Sequence, residues 1–253
     1  MSMPAVLVTG GAQRIGAQIC RRFADAGWHV IVHYHSSPDE AQALATALPS
    51  AETVQCDLAD VGAAVAMVEA IAARLTDWRC LVANASTFEA DSADRLDPAI
   101  AARAFSINAT TPMRMAQAYL ASARSKCGRR VIQLTDQKLA NPNPDFFSYS
   151  LSKWAVDGGA LMLSMTNAPQ DRVYRLAPGA ILASHDQSND EAEVSHRLNL
   201  LKRRTDASEV ADAAVFLAEG PLVSGSALFV DSGQHLLDQD RDVIYLARER
   251  SSV

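Results

Sequence analysis

Short β-branched runs alternate with alanine-rich stretches from one end of the chain to nearly the other, and this alternation narrows the fold more than any other feature. AVLVT (5–9), HVIVH (29–33), TVQC (53–56), CLVA (80–83), RVIQL (130–134), RVYRL (172–176) and ALFV (227–230) read as strands. Such short, nearly continuous apolar runs suit strands covered on both faces, and hence a parallel sheet. Helical stretches are expected between them at about 14–26, 38–48, 60–76, 99–125, 148–165 and 207–219. Strands alternating with helices make βαβ units. The expected class is therefore α/β: a doubly wound parallel sheet of about seven strands flanked by helices.

With 253 residues, 49% of them hydrophobic, the chain can bury one large core. No stretch reads as a linker and no internal repeat is visible, so residues 1–253 are expected to form a single domain. NPNPDF (141–146) is a loop by composition. The polar segment 183–204 has only weak helical periodicity and reads as a substrate lid at the C-terminal edge of the sheet. The tail from 238 runs past the last strand, and one role open to it is reaching a neighbouring subunit's site. A net charge of −6 argues against nucleic acid or an anionic membrane surface as partner. No apolar run reaches the roughly 18–20 residues that a bilayer requires. MSMPAVLVTGG lacks the basic region and cleavage site of a secretory signal, which points to the cytoplasm. Cys20, Cys56, Cys80 and Cys127 are scattered without metal-ligand spacing, so reduced thiols and no metal are expected.

TGGAQRIG (9–16) joins the first strand to the first helix. Thr9, Gly10, Arg14, Ile15 and Gly16 are candidate dinucleotide-binding residues, because a glycine turn at a helix N-terminus presents N–H groups to a pyrophosphate. Arg14 stands where many such turns carry a second glycine. Enzymes preferring NAD usually place an acid at the end of strand two for the ribose 2′-hydroxyl. Here HYHSSPDE has no acid before Asp39, and His35, Ser36, Ser37 and Arg14 offer donors to a 2′-phosphate. NADPH is the expected cofactor. The serines also suit helix capping ahead of Pro38. Asp57 is placed either to accept from the adenine amino group or to cap the helix near 60. Asn84, Ala85 and Ser86 form a small polar turn that lets backbone pass close to the cofactor.

Tyr149 and Lys153, spaced i,i+4, share one helical face. A tyrosine with a pKa near 10 is a poor acid at neutral pH, and an adjacent ammonium is expected to lower it. Lys153 can also bond the nicotinamide ribose. The motifs run in order: the glycine turn, NAS, Asn108 in FSINAT, YSLSK, and APG at 177–179. In that order, over roughly residues 4–235, the chain resembles the short-chain dehydrogenase/reductase family, whose fold is of Rossmann type. The resemblance implies that Asn108 holds a water-linked proton relay to Lys153, that Tyr149 donates the proton, and that Pro178 and Gly179 flank the nicotinamide. It also implies a homo-tetramer or dimer.

Most of the family places a serine thirteen residues before the tyrosine, whereas this chain has Asp136. A ketone oxygen has little use for a carboxylate, because lone pairs repel. A pteridine offers ring N–H and amino groups that a carboxylate accepts, and its ring must be protonated on reduction. Arg14, the HYH run and NASTF (84–88) resemble the pteridine reductase subgroup, including dihydromonapterin reductases. That likeness implies that Arg14 contacts phosphate and pterin and that Phe88 stacks the pterin. The expected substrate is thus a dihydropterin, with dihydrofolate as a possible second. The alternatives are a ketone or 3-oxoacyl thioester reductase in which Asp136 only orients Tyr149, and a non-catalytic cofactor-binding protein. Asp136 also suits a turn or cap after strand five. Four features depart from the family pattern: Ala83 in the turn after strand four, Ser36 where related reductases often have Arg, the short passage 165–176, and Tyr174 in place of a common Asn.

Overall fold

The computed structural model describes residues 3–184 and 187–251. The chain runs β1 (Ala5–Val8), α1 (Arg14–Asp25), β2 (His29–Tyr34), α2 (Pro38–Ala47), β3 (Ala51–Gln55), α3 (Val61–Arg74) and β4 (Trp78–Ala83). It continues through α4 (Pro98–Phe105), α5 (Thr111–Ser122), β5 (Arg130–Leu134), α6 (Phe147–Ser164) and β6 (Arg172–Pro178). It ends with α7 (Asn189–Ser195), α8 (Ala207–Glu219), β7 (Ala227–Val230) and α9 (Val243–Ser251). The seven strands form one sheet in the order β3-β2-β1-β4-β5-β6-β7, and every pairing is parallel. All seven expected strands are present, within two residues at either end.

Alternation along each strand builds two cores. Val6, Val8, Val30 and Val32 face one side and pack with Ile19 and Phe23 of α1 and with Val210, Ala214 and Leu217 of α8. Leu7, Ile31 and Leu81 face the other, against Val68 and Ile71 of α3 and Met115 and Tyr119 of α5. A fully buried aliphatic side chain contributes about 1.5–3 kcal/mol, so the double cover holds the strand ends rigidly. Tyr174, the departure noted in strand six, is one of these core residues, with its hydroxyl donating to the Leu222 carbonyl at 2.7 Å.

The strand order reverses between β1 and β4, and at such a switch point a crevice opens beyond the carboxyl ends of the strands. Two elements differ from expectation. The stretch 99–125 is not one helix: α4 and α5 are separated by a π-helical turn, Ser106–Thr110, which carries Asn108. The tail, without an assigned element in the sequence, folds as α9 and packs on α7 within the polar segment 183–204. His185 and Asp186 of that segment lie outside the described residues.

Candidate active site

The glycine turn is bonded on all sides by its neighbours. Gly10 sits at φ +60°, and a Cβ on Gly16 would lie 2.0 Å from the Gly10 carbonyl oxygen, so neither position takes a side chain easily. The Thr9 hydroxyl accepts from the N–H groups of Asn84 (2.9 Å) and Ala85 (3.0 Å), and Asn84 Nδ2 donates to the Thr9 carbonyl at 2.9 Å. His33, buried at the end of β2, closes the set. Its Nδ1 accepts from Gly10 N–H at 3.1 Å while Nε2 donates to the Cys56 carbonyl at 3.1 Å. Burial lowers its pKa to about 4, so the ring is neutral and Nδ1 stays free to accept.

Above this turn lies a recess of about 440 Å³ bordered by Gln13, Tyr34, His35, Ser36, Ser37 and the 84–86 turn. It meets the requirements of a dinucleotide: a helix N-terminus, close backbone approach, and a strand-two end without a carboxylate at 34–37. Ser37 occupies the N-cap position of α2 but makes no side-chain cap bond; its hydroxyl accepts from Gln13 Nε2 at 3.2 Å. Asp57 does not cap α3, since Asp60 does so through Ala63 N–H. Asp57 instead accepts from Ala59 N–H at 2.9 Å and faces His35 at 3.8 Å. Arg14 takes the left-handed conformation, φ +54°, in the position glycine often fills. Its guanidinium donates to the Ala183 carbonyl at 2.9 Å, at the edge of the polar segment, and to none of residues 35–37.

Next to this recess is a cavity of about 550 Å³ with Asp136 and Tyr149 in its wall. The Tyr149 hydroxyl donates to Asp136 Oδ2 at 2.5 Å, and Asp136 Oδ1 accepts from Lys138 N–H at 2.8 Å. Asp136 is thus both a cap for the 3₁₀ turn Gln137–Leu139 and a partner of the tyrosine. Burial raises the Asp136 carboxyl above the usual carboxylate range, against the opposing hydrogen bonds of Tyr149 and Lys138 and the charges of Lys153 and Lys138. Burial, the charge and hydrogen bond of Asp136, and the Asp242 charge all push the Tyr149 phenol well up.

The expectation that Lys153 draws the phenol toward neutral pH is corrected here. Lys153 Nζ donates to the Leu134 carbonyl at 2.8 Å and faces the Tyr149 ring from 5.6 Å, while burial lowers its own pKa to about 8. Two oxygen acids in direct contact, both shifted upward, retain a proton at neutral pH and can release it together to a base placed against them.

Asn108 is fastened at both ends of its amide. Its Oδ1 accepts from Thr87 N–H (2.8 Å) and Ser86 Oγ (3.1 Å), and its Nδ2 donates to the Thr87 carbonyl (2.9 Å) and Ser152 Oγ (3.0 Å). The π turn thereby ties the strand-four loop to α6 one residue from Lys153, a usual place for such a bulge. Phe88 enters the cavity beside Tyr149, edge to face at 4.7 Å between centroids. Its other neighbour, Phe146, stacks on it at 4.1 Å and was not singled out by sequence; its only signal is a place just ahead of α6. Gly179 borders the cavity beneath Asp231 and Gln234, where a Cβ would meet Asp231 Cβ at 2.7 Å. Pro178 ends β6 alongside. Ile15 lines both cavity and recess. Asp242, Val243 and Ile244 also line the cavity, so the tail lies on its own chain's site. Sequence reasoning missed His33, Phe146 and this tail contact.

A family model described as enoyl-(acyl carrier protein) reductase matches residues 10–235. Dihydromonapterin reductase of Citrobacter koseri is 26% identical over 233 residues, which cover 91% of this chain and 96% of that protein. Pteridine reductase 1 of Leishmania tarentolae is 26% identical over an alignment of 279 residues, covering 92% of this chain and 96% of its own. Among solved structures, FolM alternative dihydrofolate reductase 1 from Brucella canis, complexed with NADP, superposes with a TM-score of 0.87 at 33% identity, covering 95% of this chain and 97% of that one.

Proposed function

The chain belongs to the short-chain dehydrogenase/reductase family, and on that premise we propose that it is an NADPH-dependent reductase of a dihydropterin of the dihydromonapterin type, with dihydrofolate as a second substrate. The observation that carries this reading is the 2.5 Å contact of Tyr149 with Asp136 beside the Phe88 ring. A flat heterocycle placed against Phe88 brings a ring nitrogen to a proton-bearing pair, and the carboxylate side of that pair accepts from ring N–H or amino groups. A ketone would meet carboxylate lone pairs instead.

NADPH, when bound, supplies the hydride. Thr9, Gly10, Gly16 and the 84–86 turn shape the recess for its pyrophosphate and ribose, and His35, Ser36 and Ser37 stand where a 2′-phosphate arrives. Lys153 is positioned by Leu134 and, through Ser152, by Asn108, and its charge steadies the Asp136–Tyr149 pair as the proton leaves. Arg14 bridges the phosphate turn and the segment 183–204, which serves as the substrate lid. Exposed apolar residues on neighbouring helices, Phe105 of α4 with Trp154, Leu161 and Met162 of α6, support a homo-tetramer or dimer. Four free cysteines support a reducing, cytoplasmic setting.

NADPH oxidation with a panel of dihydropterins, dihydrofolate, acetoacetyl thioesters and simple ketones tests the assignment. Highest kcat/KM on a dihydropterin is expected. Preference for a thioester or ketone would replace this reading with carbonyl reduction, in which Asp136 only orients Tyr149, and binding of NADPH without turnover of any substrate would make the protein a cofactor-binding module.

A further inference from the structure

Beyond β7 the chain is drawn back across the loop after β5 by an unusual density of polar contacts. Asn141 and Gln239 bond reciprocally: Gln239 N–H donates to Asn141 Oδ1 at 3.1 Å, and Asn141 Nδ2 donates to Gln239 Oε1 at 3.3 Å. Arg241 Nε and Asp242 N–H both donate to Asp145 Oδ2 at 2.8 Å. Lys138 Nζ, almost wholly buried, donates to Asp242 Oδ2 at 2.9 Å and to the Asp145 carbonyl at 2.7 Å. At the far end Arg248 Nε meets Glu191 of α7 at 3.3 Å.

The position of this clasp matters because of what it holds. Lys138 belongs to the same 3₁₀ turn that Asp136 caps, and its ammonium lies 5.2 Å from the Phe146 ring centroid. Directly after Asp242, Val243 and Ile244 enter the cavity wall, and Ile244 packs with Phe146 and Tyr149 in one apolar cluster. Burying an ion pair is a poor way to gain stability, because desolvation offsets the attraction. A buried pair beside a catalytic acid is better explained by the geometry that it imposes.

We propose that Ile244, fixed by the Lys138–Asp242 pair, limits the size of the ring substituent that the site accepts, and that the segment 239–248 is a wall of its own chain's site. Ile244 is then a specificity-determining residue, while Lys138 and Asp242 are positioning residues. The inference rests on the pteridine reading for the identity of its substrates.

Ile244→Ala removes three carbons from an apolar wall, and a single methylene in such a pocket discriminates by roughly 10–200-fold. Its kcat/KM for dihydrofolate relative to dihydrobiopterin should therefore rise by at least about tenfold over the parent. Asp242→Asn should shift the ratio the same way, mainly through KM for the small pterin, and Asp242→Glu should restore part of it. NADPH affinity should be unchanged in all three, since its recess contains no tail residue. Backbone amide exchange over 243–248 should accelerate in Asp242→Asn, which reads the clasp without any substrate. An unchanged substrate ratio in folded Ile244→Ala and Asp242→Asn overturns the proposal. Recovery of the parent's ratio on mixing Asp242→Asn with Tyr149→Phe subunits overturns the own-chain assignment, because an intact tail would then be acting on a neighbour. If the parent reduces no pterin, the pteridine reading has failed separately. The same variants assayed on small and bulky ketones, together with amide exchange, then decide the wall by the same criteria.

Discussion

Asp136 caps the 3₁₀ turn with one carboxylate oxygen and binds the Tyr149 hydroxyl with the other, so a substitution must separate the two tasks. Asp136→Asn keeps a capping oxygen and removes the acid, whereas Asp136→Ser installs the hydroxyl common in the family. Both should lower dihydropterin turnover by about 10²–10⁴, the scale of a general acid, with NADPH binding nearly unchanged. Stopped-flow turnover and cofactor fluorescence read the two effects. Near-parent turnover in Asp136→Asn would reduce the residue to a turn cap. Arg14 is the second residue with two settings. Its side chain points to Ala183 rather than to Ser36 or Ser37, so Arg14→Ala should raise KM for the pterin and weaken NADPH and NADH by similar factors. A loss confined to NADPH in titrations would place Arg14 on the 2′-phosphate instead. The parent should still prefer NADPH, because no carboxylate stands among residues 34–37.

Between elements, the least visible coupling is that of β2 to the phosphate turn through His33. Its folded pKa of about 4 lies below the ordinary value of 6.5. The unfolded chain therefore binds the extra proton first as pH falls, so the stabilisation is complete above 6.5 and is lost progressively down to about 4. The whole effect is about 3 kcal/mol, of which about 2 kcal/mol is gone by pH 5. His33→Gln cannot titrate, and the stability lead of the parent over it in urea melts should shrink by that amount between pH 7 and pH 5. A constant lead would mean that His33 is not the neutral acceptor of Gly10 N–H.

Elements of this kind explain what sequence reading captured and what escaped it. Strands such as Val30–Val32 are legible because burial on both faces imposes uninterrupted apolar runs. The Tyr149–Lys153 pair is legible from its spacing only together with the order of the motifs around it, from the glycine turn through NAS and Asn108 to APG. The break in the 99–125 helix is poorly legible, since SINAT itself has no proline or glycine. The local sign is Pro112 in the first turn of α5, and the π turn is accompanied by contacts of Asn108 with Thr87 and Ser152. The tail helix is equally hidden, because its anchors at Lys138 and Asp145 lie about a hundred residues earlier.

At the scale of the whole molecule, apolar side chains remain uncovered on α4 and α6, and β7 is an edge strand with Phe229 partly exposed. An uncovered edge and an apolar helix face are the surfaces through which chains of one kind associate. Light scattering at micromolar concentration should report a dimer or tetramer, and Trp154→Glu with Met162→Glu should lower the mass. A monomeric parent would sink the assembly proposal.

The two halves of the site differ in readiness, and this sets an order of events. The dinucleotide recess is braced by hydrogen bonds of Thr9, Asn84 and His33 within the protein itself, whereas Phe88 and Phe146 are stacked at 4.1 Å. A flat ring slipped between them needs roughly 7 Å, two van der Waals thicknesses, so entry along that path moves one of the phenyls. Cofactor should therefore enter first and substrate second, in a compulsory sequence. Planar heterocycles that cannot be reduced should compete with the pterin yet inhibit uncompetitively against NADPH, and noncompetitive patterns against NADPH would show random entry.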